Sequence, residues 1–467
     1  MIAISGREAS LRMRTGSVLA CAALMVAAIA AAAAIAGSLS GCATASPVAS
    51  PAGPPPKPNM MDGRFSHTAT LLNDGTVLVA GGVLSDSPSG DIAEIFDPAR
   101  SSFIEVETMT TARAYHTATL LKNGQVLVAG GADVHGRPLD TVELYDPARQ
   151  TFTANTVLMP KTATDMVEPR FNHTGTILPD GQVLIAGGQS DINNVNVLDT
   201  AELYDPATGK FSPTGNVTRI YDPEEQQFRM LGEMTAPRAF HRATALADGR
   251  VLLTGGIGGD GNAVATAEIY DPQTGKFTAT GPMNARRKEH TATLLADGRV
   301  LVAGGADQNG HVLASAEIFD PATNKFTAIA NLNDPRYEQA AALLPSGQVL
   351  LVGGSDGSGI LDTAELFDPA RNGFVCVGGV GATPPRCTAS MNDYRVYETA
   401  TPLQNGEVVV IGGYNFSIGV GGSPMGAASM GSSTVPFHVM DSAEIYNPAS
   451  GTFVSMMQMA GVAAPRH

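Results

Sequence analysis

Apolar and polar positions along this chain fall into a block that keeps returning. Its clearest copy runs from Arg287 to Phe326. HTATLL (290–295) alternates and ends on two leucines. Asp297-Gly298 follows, and then VLVA (300–303) is apolar at every position. Gly304-Gly305 closes that run, and a loop leads to AEIF (316–319). Asp320-Pro321 comes next, and Phe326 opens a last short segment. Asp-Gly between two apolar runs signals a hairpin, because Gly takes positive φ with no Cβ clash. Asp-Pro signals a tight turn: the Asp side chain bonds the backbone ahead and Pro presets φ. A run with no polar position predicts a strand covered on both faces. The block therefore predicts a four-stranded antiparallel sheet with no helix.

Seven copies can be counted. They begin at Arg64, Arg113, Arg170, Arg238, Arg287, Arg336 and Arg395, and each has an X-Gly turn and a Gly-Gly pair in the same places. One such sheet cannot bury both of its faces. Like sheets stacked round an axis can, so the expected fold is an all-β, seven-bladed β-propeller over residues 63–460, with a tail at 461–467. The blades are contiguous in sequence, so the ring is expected to close by packing. One half-unit, RIYDPEEQQF (219–228), has no hairpin turn and no Gly-Gly. It is read as an extra hairpin inserted at 212–237, with a degenerate eighth blade as the alternative.

A repeat near fifty residues, with Gly-Gly after the second strand and Tyr/Phe-Asp-Pro after the third, resembles the kelch family. The resemblance covers most of the chain and implies the same propeller. Kelch repeats usually open the last strand with Trp. Here that position is always Phe (103, 152, 211, 277, 326, 374, 453), and the chain has no Trp. Phe keeps an aromatic wedge between neighbouring sheets.

The first 41 residues read differently. Arg7, Arg12 and Arg14 precede an Ala-rich apolar run and then Leu39-Ser40-Gly41-Cys42. This order is that of a secretory signal, and the tetrapeptide resembles a bacterial lipobox. The resemblance implies cleavage before Cys42 and lipidation there. Ala43 rather than Asp after it implies sorting to the outer membrane of a Gram-negative cell. An uncleaved membrane anchor is the alternative; both place the rest of the chain outside the cytoplasm. Residues 42–62 are rich in Pro, Ala and Ser and read as an extended tether. Cys376 and Cys387 are the two cysteines beyond the lipid site, and in an oxidising compartment they are expected to pair. Net charge is −15. The signal is net positive, so the mature chain is more acidic still, which argues against nucleic acid as a partner.

Loop lengths carry the functional information. The first-to-second and third-to-fourth turns are constant, and they share one rim because strands alternate in direction. Every insertion falls on the other rim: 154–169, 212–237, 375–394 and 414–440. Insertions confined to one face mark a binding face. The expected partner is a protein or carbohydrate at the envelope, with the membrane engaged through the lipid.

Candidate chemistry is repetitive. Five units begin Arg-x-x-His, giving His67, His116, His173, His241 and His290. With Tyr414, Asn415 and Phe416 they form the candidate binding rim. The seven arginines recur beside Glu94, Glu143, Glu202, Glu268, Glu317, Glu365 and Glu444. A catalytic group would occur once, so these are expected to be structural ion pairs. Gly256–Gly261 fits a dinucleotide motif, but no helix is expected after it. Ser355 sits in a G-x-S-x-G at a strand-to-loop turn, not a nucleophile elbow. Tyr115-His116 resembles a copper-ligand strand of galactose oxidase-like propellers, and a copper-radical oxidase is the alternative function. That family also needs a tyrosine joined to a cysteine, and further histidines. No catalytic residue, metal or cofactor is predicted.

Overall fold

The computed structural model describes residues 57–154, 165–191, 196–215, 217–222, 227–381, 386–416 and 437–459. The signal, Cys42, most of the tether, the tail, and parts of all four insertions (154–169, 212–237, 375–394 and 414–440) lie outside them. Among the described residues the chain is nearly all strand, with one short helix, Met456–Met459. No described helix is long and apolar enough to cross a membrane.

Seven four-stranded antiparallel blades are each built from consecutive segments. In the fifth they are Thr291–Leu294, Val300–Ala303, Ala316–Asp320 and Lys325–Ala328. The first strands line the axis, and Thr68–Leu71 of the first blade packs beside Thr399–Pro402 of the seventh. No strand is shared across that seam, so the ring closes by packing. The half-unit is a hairpin, Val217–Asp222 with Gln227–Glu233. It is appended to the third strand of blade 3 through Thr200↔Glu233 and Ala201↔Gly232.

The all-apolar second strands are buried along their whole length, as in Val77–Ala80 and Val300–Ala303. Their side chains feed apolar clusters that lie between blades rather than within them. Leu78, Ala80 and Ile95 of blade 1 pack with Val126, Val128, Tyr145 and Phe152 of blade 2. Val77, Val79, Phe96 and Phe103 of blade 1 pack with Val409, Ile411 and Ile445 of blade 7. Each Phe that replaces the usual Trp sits opposite an aromatic on the third strand; Phe319 and Phe326 have ring centroids 4.8 Å apart.

The Gly-Gly pairs are explained by blade-to-blade contact. A Cβ on Gly304 would lie 2.4 Å from the Arg336 carbonyl of the next blade. The second glycine, Gly305, donates its N–H to that carbonyl at 2.8 Å. The same bond recurs round the ring and closes it, from Gly413 of blade 7 to Arg64 of blade 1 at 2.9 Å. A strap at the N-terminal end reinforces this seam. Lys57 pairs with Phe103 of blade 1, while Met60 and Arg64 donate to Asp441 and Met440 of blade 7.

Candidate functional site at the channel mouth

The seven arginines turn into their own blades. Arg287 Nη2 meets Glu317 at 2.8 Å, and Nη1 donates to the carbonyls of Gly304 and Ser315. Arg64–Glu94, Arg113–Glu143, Arg170–Glu202, Arg238–Glu268, Arg336–Glu365 and Arg395–Glu444 repeat the pair at 2.6 to 3.1 Å, with every arginine fully buried. The glutamates also accept backbone N–H groups from the segment leading into the blade, such as Asn284 and Ala285 at Glu317. Each pair ties that segment to the third strand.

The histidines are buried between blades. His116 Nε2 shares a hydrogen bond with Thr68 Oγ1 of the preceding blade at 3.0 Å. His173 does so with Thr117, His241 with Thr174 and, across the seam, His67 with Thr399. Burial, then a neighbouring arginine, holds His67 and His173 down at about 3, and His116, His241 and His290 well below the usual range. They are neutral couplers rather than a cationic ring. Blades 6 and 7 put Gln339 and Glu398 in this place; Gln339 donates to Ala303 O at 2.9 Å. Glu398 accepts from the Ala340 N–H, and burial pushes its carboxyl up to about 8.

The residue before each of these couplers points to the axis. Ser66, Tyr115, Asn172, Phe240, Glu289, Glu338 and Tyr397 all have φ between 51° and 58°. That left-handed backbone costs a non-glycine residue about 1 kcal/mol. A reason to hold it is visible in the main chain. Tyr115 N donates to Ser66 O, Asn172 to Tyr115, Phe240 to Asn172, Glu289 to Phe240, Glu338 to Glu289, Tyr397 to Glu338 and Ser66 to Tyr397. Seven peptide bonds, at 3.0 to 3.4 Å, thus form a closed hydrogen-bonded ring round the channel. Above it lies a cup of about 220 Å³. Strained residues of this kind concentrate at functional sites.

The cup is lopsided. Ser66, Tyr115, Asn172 and Phe240 make one side, while Arg242, Glu289, Glu338 and Tyr397 make the other. Burial, and then the charge of Glu289, push the Glu338 carboxyl well above the usual range; the Tyr397 hydroxyl donates to it. Glu289 is also raised by burial, with Lys288 Nζ 3.6 Å away. Burial pushes Tyr115 up to about 12 and Tyr397 well above its usual value. Tyr414 sits over the blade 7–1 seam, edge-on to Phe65 at 4.8 Å and stacked on Tyr397 at 6.0 Å. Its strand, Tyr414–Phe416, pairs with Phe437–Val439 and carries Asn415. The side chain of Phe416 lies outside the described residues.

The cysteine insertion flanks the same face. Cys376 and Cys387 form a disulfide, and Val380 pairs with Cys387 across it. Arg386 bonds Asp356, which ties this loop to the second-to-third loop of its own blade. Sequence reasoning singled out the arginines, the histidines and Tyr115, but not the residue before each histidine as a set; that set lines the cup together with His67, His116, His173 and His241. Aligning the seven copies would have found it: that position changes in character from blade to blade between fixed neighbours.

The Kelch motif is matched over residues 238–284 and 289–333. No curated protein matches the sequence. Among solved structures, the chain is similar to a novel fungal alcohol oxidase with catalytic diversity among the AA5 family, in complex with copper. The TM-score is 0.54 at 17% identity, covering 76% of this chain and 71% of that one. It is also similar to the protein YjhT, with a TM-score of 0.50 at 15% identity, covering 68% of this chain and 99% of that one. At such identities the likeness concerns the fold. Repeats, blades and inter-blade contacts agree: the chain is a seven-bladed β-propeller of the kelch type.

Proposed function

We propose that the protein is a non-catalytic envelope lipoprotein whose insertion-bearing rim captures a protein or glycan partner. The observation that carries this reading is where apolar surface is left open. Six large hydrophobic side chains are exposed among the described residues; Val380 and Tyr394 belong to the insertion loop, and Val375 to the fourth strand that leads into it. Exposed apolar groups gathered in one place mark interaction surfaces more often than scattered ones. The disulfide and the Arg386–Asp356 bond fasten the described parts of this insertion to each other and to the neighbouring loop, which lowers the ordering cost of association. Val134, also exposed, lies in the second-to-third loop of blade 2 on the same rim.

The likeness to a copper-bound alcohol oxidase raises a second reading, oxidation at the channel mouth. The residues present do not fit a copper-radical centre. The imidazole Nε2 atoms are engaged with threonine hydroxyls between blades. Cys376 and Cys387 are bonded to each other, so neither is available to join a tyrosine. Among the described residues, the one cluster of three His, Cys, Asp or Glu donors is Glu365 with those two sulfurs, and Glu365 is held by Arg336. No step through copper is derived.

The test passes envelope extracts and purified surface glycans over the protein and over a Val380→Asp/Tyr394→Ala variant. Loss of retention with unchanged melting supports the reading. Equal retention by both, or stoichiometric copper uptake with alcohol-dependent oxygen consumption, removes it.

A further inference from the structure

Blade 4 departs from the other blades in a way that leaves one charged group with nothing to do. In blades 1, 2, 3 and 7 the inner strand opens with Thr68, Thr117, Thr174 and Thr399, and each takes the next blade's histidine. In blade 4 that position is Arg242. The following histidine, His290, is not orphaned, because Thr254 takes it at 2.9 Å. Thr254 stands directly opposite Arg242 across the strand pair. The corresponding positions in blades 1, 2, 3 and 5 are Ala80, Ala129, Ala186 and Ala303. The hydroxyl has moved one strand outward, and the inner position is thereby released for a guanidinium facing the cup.

Arg242 is anchored but not consumed. Its Nε donates to His290 O at 2.6 Å. Among the described residues, its two terminal nitrogens make no hydrogen bond and no ion pair. The strongest charge acting on it is Glu289, which is already shared with Lys288. By contrast, the seven arginines that open the repeats are each satisfied by a glutamate 2.6 to 3.1 Å away. A guanidinium with two free, parallel N–H prongs matches a carboxylate in shape and charge. The cup beside it holds about 220 Å³, the size of a small organic acid; Tyr115 and Asn172 face it from the opposite side, and Glu289 and Glu338 stand on the guanidinium's own side, where they can accept from ligand hydroxyls.

We propose that the axial cup binds a small organic hydroxycarboxylate, gripped at its carboxylate by the terminal nitrogens of Arg242. The site is separate from the rim surface proposed above and stands whether or not that rim captures a partner.

Matched pairs of probes test this by titration calorimetry on the full chain: gluconate against sorbitol, lactate against propane-1,2-diol, and inorganic phosphate as a separate anion. The expected result is sub-millimolar binding of at least one carboxylate. Its uncharged counterpart should show no heat, and phosphate should bind at least tenfold more weakly. Arg242→Thr restores the residue that blades 1–3 carry, so it should fold, and it should weaken carboxylate binding at least a hundredfold. Arg242→Lys, which keeps the charge but not the fork, should weaken it about tenfold. Thr254→Ala orphans His290 nearby; it should lower the melting temperature and leave affinity within twofold. Absence of heat with both carboxylates overturns the proposal. So does equal binding of sorbitol or phosphate, or full affinity in Arg242→Thr. If Arg242→Thr does not fold, Arg242→Lys decides, and unchanged affinity there is likewise fatal.

Discussion

Two glycines in blade 5 separate the backbone's own preference from the needs of ring closure. Gly304 has φ of +67° and Gly310 has φ of +78°. Replacing either with alanine places a Cβ in the left-handed region, at about 1 kcal/mol. At Gly310 nothing lies within 4 Å of that Cβ, so the cost ends there. At Gly304 the Cβ would be 2.4 Å from the Arg336 carbonyl oxygen and 2.7 Å from Gln339 Nε2. The carbonyl must retreat by most of an ångström, which breaks its hydrogen bond with Gly305. That adds roughly 1 kcal/mol for the bond and about 1–3 kcal/mol for the forced shift. The totals are about 1 kcal/mol for Gly310→Ala and roughly 3–5 kcal/mol for Gly304→Ala. An unfolding entropy of about 2.1 cal/mol/K per residue over roughly 400 residues gives shifts of about 1 °C and about 4–6 °C. Thermal melting followed by circular dichroism reads both. Equal shifts, or a larger one at Gly310, would refute the claim that Gly-Gly exists to let blades meet.

Other consequences can be checked alongside. The ordinary carboxyl value of 4.5 is raised to about 8 at Glu398 by burial, so the folded chain keeps a proton that the unfolded chain releases. Its contribution to stability is therefore full below 4.5 and lost as pH rises through 8. Glu398→Gln should flatten the fall in melting temperature between pH 5 and 8, and an unchanged profile would count against this. Arg287→Met leaves Glu317 buried without its cation and should cost about 3–5 kcal/mol in denaturant titration; a loss under 1 kcal/mol would show the pair to be dispensable. Metabolic labelling with an alkyne fatty acid should mark the chain and fail in Cys42→Ala, whereas label retained by the variant would remove the lipid anchor.

The fold was legible because each blade repeats one local pattern with few conflicts. Asp297-Gly298 and Asp320-Pro321 turn where such residues must turn, and VLVA is buried on both faces as an uninterrupted apolar run requires. The pairing of Arg287 with Glu317 was legible for the same reason, since seven copies of one charge beside seven of the other need a common explanation. The cup was harder to read. Its lining comes from one to three residues of each blade, and these sets lie about fifty to seventy positions apart and meet only when the ring closes. Glu289 and Glu338 look like isolated surface acids until the peptide ring brings them side by side. Arg242 hid among the many arginines near repeat starts. Its distinction is a missing threonine, and the compensation lies twelve residues away at Thr254, visible only through strand register.

The central claim is that recognition belongs to the rim bearing the insertions, while the rim of constant turns is inert. A photo-crosslinking residue placed singly at Val380, Tyr394 or Val134 on the first rim, and at Asn123, Asp297 or Asn405 on the second, tests it in intact envelopes. The account predicts discrete adducts from the first three positions and none from the last three. Adducts from the constant turns, or none from either rim, would contradict it.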